Sequence, residues 1–436
     1  MQLYNTHIKN TELSKCMENQ PLVCDSPVFN QSMMNADEAL NFLLKAAKTP
    51  SKTECVDLDE ALGRILAEDI NSSINVPGFD NSAMDGYTIA LSDQHLEKSG
   101  LSFSVVDRIP AGSTGNELQE GSAARIFTGA PIPKGANTVI MQEECSPSED
   151  GTKITIDRTI NLNENIRLTG NDIIQGGVIL EKGRQLQPQD ISLAASVGVG
   201  KLSVYSQIKV GVFFTGDELV EPGNHLTAGK IYNSNRYALV ALLKQVGCKV
   251  VNLGNIEDKM QSTIDALSSL SGQCDLIMTT GGVSVGEEDH VKGAVESLGE
   301  LNLWKIRMKP GKPLAFGKIG DTPFIGLPGN PVSSFVTFGI FALPFIKKMQ
   351  GNSKHQTNKI QVQANFDCNR ARPRREYARA QLDNSTGTPQ AHLFPRQGSD
   401  VMSSIVWAHG IVEIPEDTTF EIGEMLNYYP LSELTR

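Results

Sequence analysis

Residues 207–350 alternate between short apolar segments and amphipathic segments, and this alternation constrains the fold more than any other feature of the sequence. The predicted strands are Ile208–Phe214, Lys249–Leu253, Leu276–Met278 and Phe324–Gly326. The predicted helices between them are at about Tyr237–Gln245, Gln261–Leu270 and Val332–Lys348. Strands and helices that alternate in this way predict a parallel α/β sheet, with a ligand site at the carboxyl ends of its strands.

A glycine-rich loop follows the predicted strand Leu276–Met278. Residues 279–289 read Thr-Thr-Gly-Gly-Val-Ser-Val-Gly-Glu-Glu-Asp, and a helix-like segment begins at His290. Glycines let a ligand approach the backbone closely, and the N–H groups at the N-terminus of a helix attract anions. The carboxylate of Asp289 adds a ligand for a divalent cation. This loop is therefore a candidate site for a phosphate and a metal ion.

Loops after the other predicted strands should reach the same crevice. They carry Glu218, Asp258 and the amides of Gly329 and Ser333, and they would join Asp289 if the sheet is parallel. Helix capping is an alternative role for Asp258 or Asp289 taken singly. Because clustered carboxylates either repel one another or bind a cation, we favour Mg²⁺ or an ionisable substrate.

A basic segment, residues 304–313, could supply the positive charge that an anionic ligand needs. In an extended chain Lys305, Arg307 and Lys309 share one face, and the following Pro-Gly-Lys-Pro turn brings Lys312 near them. An edge strand protected by lysines is the alternative. We favour an oxyanion or phosphate site, because such a cluster is costly without an anion to face.

The rest of the chain gives a coarser prediction. A first helix is predicted over Ala36–Lys48, with Asn35 as N-cap and Glu38 in a capping box, and a second over Leu58–Ala67. Short β segments follow from about residue 77 to residue 160, and a last β-rich segment covers 360–429. The polar loop Pro77–Tyr87 carries two acids, but its residues alone do not say whether it meets the α/β site.

Composition excludes several classes of function. The formal net charge of −11 over 436 residues argues against a nucleic-acid partner. Seven cysteines without a Cys-x-x-Cys pair argue for a reducing compartment and against structural zinc. No apolar run reaches the ~18 residues of a membrane span, and no secretory signal is evident. We therefore expect a cytoplasmic protein that binds neither nucleic acid nor a membrane.

Taken together, these motifs resemble the MoeA family of molybdopterin molybdenumtransferases, which is similar to the E domain of gephyrin. The resemblance covers nearly everything from about residue 33 to the C-terminus. The matching blocks are Pro77–Tyr87, Arg125–Pro131, Asn165–Asp172, Thr215–Leu219, Ile231–Arg236, Thr280–Asp289, Lys309–Pro313 and Gly326–Ser333. Each block alone is a weak signal, whereas the full set is specific.

The resemblance implies a multidomain α/β and β fold. Its parts are an N-terminal tail (1–32), a helical linker domain in two segments (33–76 and 165–206), an inserted β domain (77–164), a MogA-like α/β molybdopterin-binding domain (207–356) and a C-terminal β-barrel (357–436). It also implies a homodimer whose active site joins the α/β domain of one subunit to the inserted domain of the other. In that arrangement Asp85 would reach Glu218 and Asp289.

The activity that the resemblance implies is insertion of molybdate into adenylylated molybdopterin, with Mg²⁺ as cofactor and AMP as product. The implied functional acids are Asp85, Asp172, Glu218, Asp258 and Asp289, the last three as metal ligands. The implied substrate-binding residues are Thr215, Gly216, Thr280, Gly281, Gly282, Ser284, Gly286, Lys309, Lys312, Pro313, Gly329, Asn330, Ser333, Arg379 and Ser403. Of these, Lys309 and Lys312 would meet molybdate, helped by Arg379 and Ser403.

Three positions depart from the family pattern. Asn171 and Asn233 stand where the family usually has acids, and His409 stands where asparagine is usual. All five functional acids remain, so we expect an active enzyme. Two alternatives stay open: a MogA-like molybdopterin adenylyltransferase, and a non-catalytic gephyrin-like scaffold that binds peptides. A MogA-like adenylyltransferase is also a partner that the resemblance suggests.

Overall fold

A computed structural model describes residues 33–49, 51–282, 290–385 and 387–436. The chain forms two compact units. The first comprises the described parts of Met1–Lys48, Ile208–Lys348 and His355–Arg436, and the second comprises Thr49–Gln207 and Met349–Lys354. By this division residues 33–48 belong to the first unit.

The first helix, α1 (Ala36–Ala46), confirms the predicted capping box. The Asn35 side chain accepts a hydrogen bond at the start of the helix, and the Glu38 side chain reaches back to the Asn35 N–H. Together they satisfy N–H groups that have no partner inside the helix. The apolar stripe of α1 is buried, with Ala39 and Leu43 fully so.

The second unit consists mainly of short strands. In chain order they are β1 (Thr53–Asp57), β2 (Ile70–Asn71), β3 (Asn81–Ser82), β4 (Gly86–Ile89), β5 (Leu101–Ile109), β6 (Ser122–Ile126), β7 (Thr138–Met141), β8 (Ser146–Pro147), β9 (Lys153–Ile156), β10 (Ile166–Arg167), β11 (Val178–Leu180) and β12 (Lys201–Tyr205). Six of them form one sheet in the order β7-β4-β6-β5-β9-β8, and the others pair as β1–β12, β2–β11 and β3–β10. Among its described residues, the one α-helix is α2 (Pro188–Ser196).

The predicted helix over Leu58–Ala67 is wrong. A 3₁₀ turn covers Leu58–Glu60, and Ile65 and Leu66 then make β-bridges to Gln185 and Val204. The apolar residues with helical spacing instead lie in an irregular segment, which packs them into the hydrophobic core around β12. Packing has overridden the local preference, as it often does in short segments.

The described residues of the α/β part of the first unit form nine strands. They are β13 (Lys209–Phe214), β14 (Leu219–Val220), β15 (Ile231–Tyr232), β16 (Lys249–Asn255), β17 (Leu276–Thr280), β18 (Gly299–Lys305), β19 (Met308–Lys309), β20 (Pro313–Ile319) and β21 (Thr322–Leu327). Its helices are α3 (Ser234–Gln245), α4 (Met260–Ser271), α5 (His290–Leu298), α6 (Pro331–Thr337) and α7 (Leu343–Met349).

The main sheet of this part has the strand order β16-β13-β17-β21-β20-β18. The first four strands are parallel, and β20 and β18 extend the sheet in antiparallel fashion. These four are the strands that the apolar segments predicted, so the prediction of a parallel sheet is confirmed. Every residue of β17 is buried, as expected of a parallel strand covered on both faces.

A long helix crosses the core behind this sheet. It runs from Pro331 to Met349, with a π-helical stretch (Phe338–Ala342) between α6 and α7. By length and composition alone this helix could cross a membrane, but 89% of its apolar stretch is buried within the protein. Core helices of soluble proteins pass the same test, so the helix gives only weak support for a membrane span.

The C-terminal region forms the closed barrel that the resemblance implied. Its elements are β22 (Ile360–Ala364), β23 (Arg375–Asp383), β24 (Gln390–Leu393), α8 (Ser403–Trp407), β25 (Gly410–Ile414) and β26 (Met425–Pro430). Five strands close in the order β23-β24-β22-β26-β25, because β25 pairs back onto β23. The short strand β19 adds to the beginning of β23 in parallel and links the barrel to the α/β part.

An ion network around Arg375 ties α1 to the barrel. The Arg375 guanidinium lies 2.9 Å from Asp37, 3.0 Å from Glu413 and 2.8 Å from Glu416. The hydrogen bond from Arg375 lowers the pKa of Asp37. Burial raises the pKa of Glu416, but the hydrogen bond from Arg375, a backbone hydrogen bond and the charge of Arg375 together lower the pKa below its ordinary value.

We expect the Arg375 network to make stability depend on pH. Carboxyls with a lowered folded-state pKa stabilise the fold above their ordinary pKa values of 3.8 and 4.5, and this contribution disappears as the pH falls through the folded values. Arg375→Met should lower the free energy of unfolding by about 3 kcal/mol at neutral pH. This value is the lower end of the range for a broken buried ion pair, because Glu413 still pairs with Lys359. Chemical denaturation should show this cost shrinking below about pH 4. An equal cost at all pH values would contradict the network.

Candidate functional site

A cleft of about 1170 Å³ lies at the carboxyl ends of the parallel strands, within the first unit. The predicted loops after β13, β16, β17 and β21 all contribute to its lining, together with the basic segment and a loop of the barrel. The predicted site residues that line it are Thr215, Gly216, Glu218, Asp258, Thr280, Gly281, Gly282, Lys309, Lys312, Pro313, Gly329, Asn330 and Ser333. The structure thus brings acids, lysines and glycine loops to one surface.

The remaining predicted site residues are not in the described lining of the cleft. Ser284, Gly286 and Asp289 are outside the described residues. Asp85 and Asp172 belong to the second unit. Arg379 and Ser403 lie in the barrel and are not among the described residues that line the cleft.

Glu218 folds back over the turn that precedes it. This turn follows β13, and Gly216 adopts φ +146°, a conformation that favours glycine. A Cβ atom on Gly216 would lie 2.6 Å from Oε2 of Glu218, so the carboxylate rests directly on the glycine. The glycine therefore gives the Glu218 carboxylate the room that it occupies at the cleft.

Asp258 is held by a neighbouring loop and does not cap a helix. Its Oδ1 accepts a hydrogen bond of 2.8 Å from the Thr215 hydroxyl. Helix α4 instead begins after Lys259, which makes no capping hydrogen bond through its side chain. The capping role considered for Asp258 is therefore wrong, and the Thr215–Asp258 bond joins the loops after β13 and β16.

The donor set of the cleft fits Mg²⁺ in part. Within the residues that the structure describes, no group of three or more His, Cys, Asp or Glu side chains could hold a metal ion. Glu218 and Asp258 nevertheless line the same cleft. Mg²⁺ commonly binds through one or two carboxylates together with water and substrate phosphates. Two acids are enough for such a site, and the third predicted ligand, Asp289, is not described.

Two glycine loops approach each other at the cleft. Gly281 and Gly282 have φ of +86° and +64°, and the Gly281 N–H donates to the Leu327 carbonyl at 2.9 Å. A Cβ atom on Gly329 would lie 3.5 Å from the Gly281 Cα. Without side chains, the backbone of both loops is accessible to a ligand, as phosphate-binding loops require.

The basic segment places only part of its cations at the cleft. Ile306 and Met308 are fully buried, so the predicted alternation of faces is confirmed. Lys309 and Lys312 line the cleft. Arg307 instead donates to Asp417 at 2.7 Å and to the Pro373 carbonyl at 2.9 Å, and it is absent from the lining. Lys305 is also absent from the described lining, so the prediction that all four cations face one site is wrong for Lys305 and Arg307.

The barrel contributes a loop that sequence reasoning missed. Gln397, Gly398, Ser399 and also Arg374 line the cleft. Ser399 is anchored to the start of the long helix, because its carbonyl accepts from Val332 N–H (3.0 Å) and its hydroxyl from Asn330 (3.1 Å). The Gln-Gly-Ser run before α8 was the sequence signal for this loop, because a Gly-Ser pair is typical of loops that bind ligands. Ser403, in contrast, belongs to helix α8.

Arg379 supports this loop from behind. It is fully buried, and its guanidinium donates to the Gly398 carbonyl at 2.8 Å and to the Ser404 hydroxyl at 3.0 Å. Burial lowers the pKa of Arg379 to about 10. Contrary to what the resemblance implied, Arg379 is therefore not itself among the described residues that line the cleft. It supports the loop whose residue Gly398 does line the cleft.

In the second unit, Asp85 is fixed by the Arg125–Pro131 block. Its Oδ1 accepts from the Thr128 N–H at 2.8 Å and from the Thr128 hydroxyl at 2.7 Å. These bonds lower the pKa of Asp85. Asp80 makes the same pair of bonds to Thr169, and the Asp172 N–H donates to the Val76 carbonyl at 2.9 Å. Three of the family blocks thus come together around Asp80 and Asp85.

We expect Thr128→Val to raise the pKa of Asp85 towards its ordinary value of 3.8, because the hydroxyl bond is lost while the backbone bond remains. NMR titration of the Asp85 carboxyl measures this change. Thr169→Val, which removes the matching bond to Asp80, is the control and should leave the pKa of Asp85 unaltered. The same pKa in the Thr128 variant and the wild type would show that the hydroxyl bond is unimportant.

Three family profiles match consecutive parts of the chain. The MoeA N-terminal region (domains I and II) matches residues 25–198, a probable molybdopterin binding domain matches 211–348, and the MoeA C-terminal region (domain IV) matches 361–431. The matches leave only short joints and the termini uncovered.

Individual proteins are similar over nearly the full length. Molybdopterin molybdenumtransferase of Haemophilus influenzae is 41% identical over 406 residues, which cover 92% of this chain and all of the relative. Molybdopterin molybdenumtransferase 2 of Mycobacterium tuberculosis is 33% identical, over 83% of this chain and 91% of the relative. The crystal structure of a molybdopterin biosynthesis MoeA protein from Pyrococcus horikoshii matches with a TM-score of 0.80 and 30% identity, over 92% of this chain and all of that one.

Proposed function

The chain belongs to the MoeA family of molybdopterin molybdenumtransferases, and we propose that the cleft of its first unit inserts molybdate into adenylylated molybdopterin, with release of AMP. The chain is a transferase of molybdenum cofactor biosynthesis. One observation carries the proposal for the site: two acids, two lysines and two glycine loops line a single cleft. A reaction between a phosphorylated pterin and an oxyanion needs all three kinds of group.

Each kind of group has a proposed role. Gly281, Gly282 and Gly329, with Ser333, form the site of the pterin phosphate; the Gly281 N–H is taken by the Leu327 carbonyl, and its missing side chain leaves room for the ligand. Lys309 and Lys312 bind molybdate and offset its charge. Ser399 takes the role that the resemblance implied for Ser403. Thr215 holds Asp258 in a fixed orientation, because its hydroxyl donates a hydrogen bond to one of the two carboxylate oxygens. Asp289, Ser284 and Gly286 keep their predicted roles in the glycine-rich loop.

The residues that would hold Mg²⁺ are Glu218 and Asp258, with Asp289 as a third ligand. When bound, Mg²⁺ neutralises phosphate charge and polarises a phosphoryl oxygen. Glu218 is kept at the cleft because its carboxylate packs directly against Gly216. Asp258 keeps its second oxygen for a ligand, because only Oδ1 accepts a hydrogen bond from the described residues.

We also propose that the domain borders follow the family pattern: a tail (1–32), a linker domain (33–76 and 165–206), an inserted domain (77–164), an α/β domain (207–356) and a barrel (357–436). A cytoplasmic location belongs to the same proposal. Contact with a MogA-like adenylyltransferase, which would deliver the adenylylated pterin, completes the list of proposed partners.

A homodimer with a shared active site would explain the surface of the second unit. Exposed apolar side chains lie on the segments around the Asp85 loop, among them Phe79, Leu168, Ile174 and Val178. Exposed apolar side chains that together form a patch commonly mark an interface. In the proposed dimer, Asp85 and Asp172 of one subunit complete the cleft of the other.

Subunit mixing tests the shared site. Asp85→Ala and Glu218→Ala homodimers should both be nearly inactive. When the two are unfolded together and refolded as mixed dimers, one of the two sites regains both acids, so the mixed dimers should recover about half of the wild-type activity per dimer. No recovery in mixed dimers, verified by two different affinity tags, would contradict a shared site.

The first experiment on function is AMP release from adenylylated molybdopterin, with and without molybdate and Mg²⁺. Release that depends on both, with formation of active cofactor, supports the proposal. Glu218→Gln should slow release by roughly 100-fold, on the scale of losing one electrostatic stabiliser. The matched control is Asp217→Asn, which removes an exposed charge next to Glu218 but outside the cleft lining.

The alternatives predict other results. A MogA-like adenylyltransferase would use ATP to adenylylate molybdopterin. A gephyrin-like scaffold would capture peptides and release no AMP. Equal activity of Glu218→Gln and the wild type would exclude the assigned role of the acid.

A further inference from the structure

Lys309 and Glu376 lie opposite each other on two parallel strands. Strand β19 pairs with the beginning of β23 in the register Met308↔Arg375 and Lys309↔Glu376. Both residues line the cleft, where Met308 is fully buried and the Lys309 side chain is 33% exposed, because successive side chains point to opposite faces. The Lys309 ammonium lies 3.3 Å from Oε1 of Glu376. The strand pairing therefore sets the position of this lysine relative to a carboxylate of the barrel.

A second cation holds the same carboxylate oxygen. Nη1 of Arg372 lies 2.6 Å from Oε1 of Glu376, and this hydrogen bond raises the pKa of Arg372. The Glu376 side chain is only 10% exposed and is absent from the described lining of the cleft. A buried carboxylate needs such partners, since burying an unpaired charge is costly. The three side chains together carry one net positive charge.

The arrangement leaves the Lys309 ammonium partly available. An ammonium group has three N–H donors, and Glu376 takes one of them. The other two can point into the cleft, where the Lys309 side chain is 33% exposed. A lysine side chain is flexible, and a tether at its end reduces the freedom that ligand binding would otherwise remove. Glu376 thus orients the ammonium without competing for all of its donors.

We propose that Glu376 is a positioning residue that acts through Lys309 and sets the affinity of the cleft for a tetrahedral dianionic oxyanion. Resting on the proposed function, this assigns the molybdate affinity of the enzyme in part to a residue that does not touch molybdate. The barrel then contributes to the reaction twice, through the Ser399 loop and through the carboxylate behind Lys309.

The test is Glu376→Gln, assayed by AMP release as a function of molybdate concentration. The KM for molybdate should rise about tenfold, because a neutral amide holds the ammonium less tightly. The kcat at saturating molybdate should change less than about twofold, and the KM for adenylylated molybdopterin should stay constant, because Lys309 is oriented only for molybdate. Equal effects on both substrates would overturn the proposal.

Two further variants separate positioning from stability. In a Lys309→Met background, Glu376→Gln should raise the KM for molybdate no further, since the residue acts through Lys309. Glu413→Gln is the matched control, because Glu413 is also a buried barrel glutamate that pairs with a lysine and an arginine outside the cleft lining. It should lower the melting temperature and leave the KM for molybdate unchanged. Additive effects of Lys309→Met and Glu376→Gln would reject the proposed coupling.

Equilibrium dialysis with molybdate alone distinguishes this proposal from the proposed function. Weaker molybdate binding by Glu376→Gln than by the wild type supports the positioning role even if neither releases AMP, which would contradict only the proposed function. Equal binding by both proteins overturns the positioning role while leaving the function intact. A wild type that binds no molybdate overturns both.

Discussion

The structure depends on the burial of one parallel strand, β17, between β13 and β21. Because the three strands run in the same direction, the loops that follow them emerge at the same edge of the sheet. Glu218 after β13, the glycines after β17 and the Gly329 loop after β21 are far apart in sequence and meet only because of this pairing. An antiparallel strand at the position of β17 would send its glycine loop to the opposite edge.

Charge in this protein is arranged locally and not globally. The chain carries a net charge of −11, yet the cleft presents Lys309, Lys312 and Arg374 beside two acids. Other cations of the same region are committed to the fold: Arg307 pairs with Asp417, and Arg375 binds three carboxylates. Similar residues within a few positions of each other therefore either line the cleft or pair with carboxylates of the fold.

Sequence reasoning predicted the parts that depend on local patterns. The four parallel strands, the capping box of α1 and the alternation around Ile306 and Met308 follow from spacing, and the structure confirms them. The false helix over Leu58–Ala67 and the real partner of Asp258 depend on segments distant in sequence, which spacing cannot reveal. Likewise, Ser399 enters the cleft because the closed barrel brings its loop to the long helix. The site could be predicted loop by loop, but the contacts between loops could not.

Strand β23 takes part in both the wall of the cleft and the barrel. Its first residues form a wall behind the cleft through β19, and the remainder closes the barrel between β24 and β25. A change that shifts the register of the barrel would therefore also shift the counter-charge of Lys309. An α/β domain of this kind, separated from its barrel, would keep its glycine loops and lose the carboxylate that orients this lysine. The barrel is thus part of the wall of the cleft.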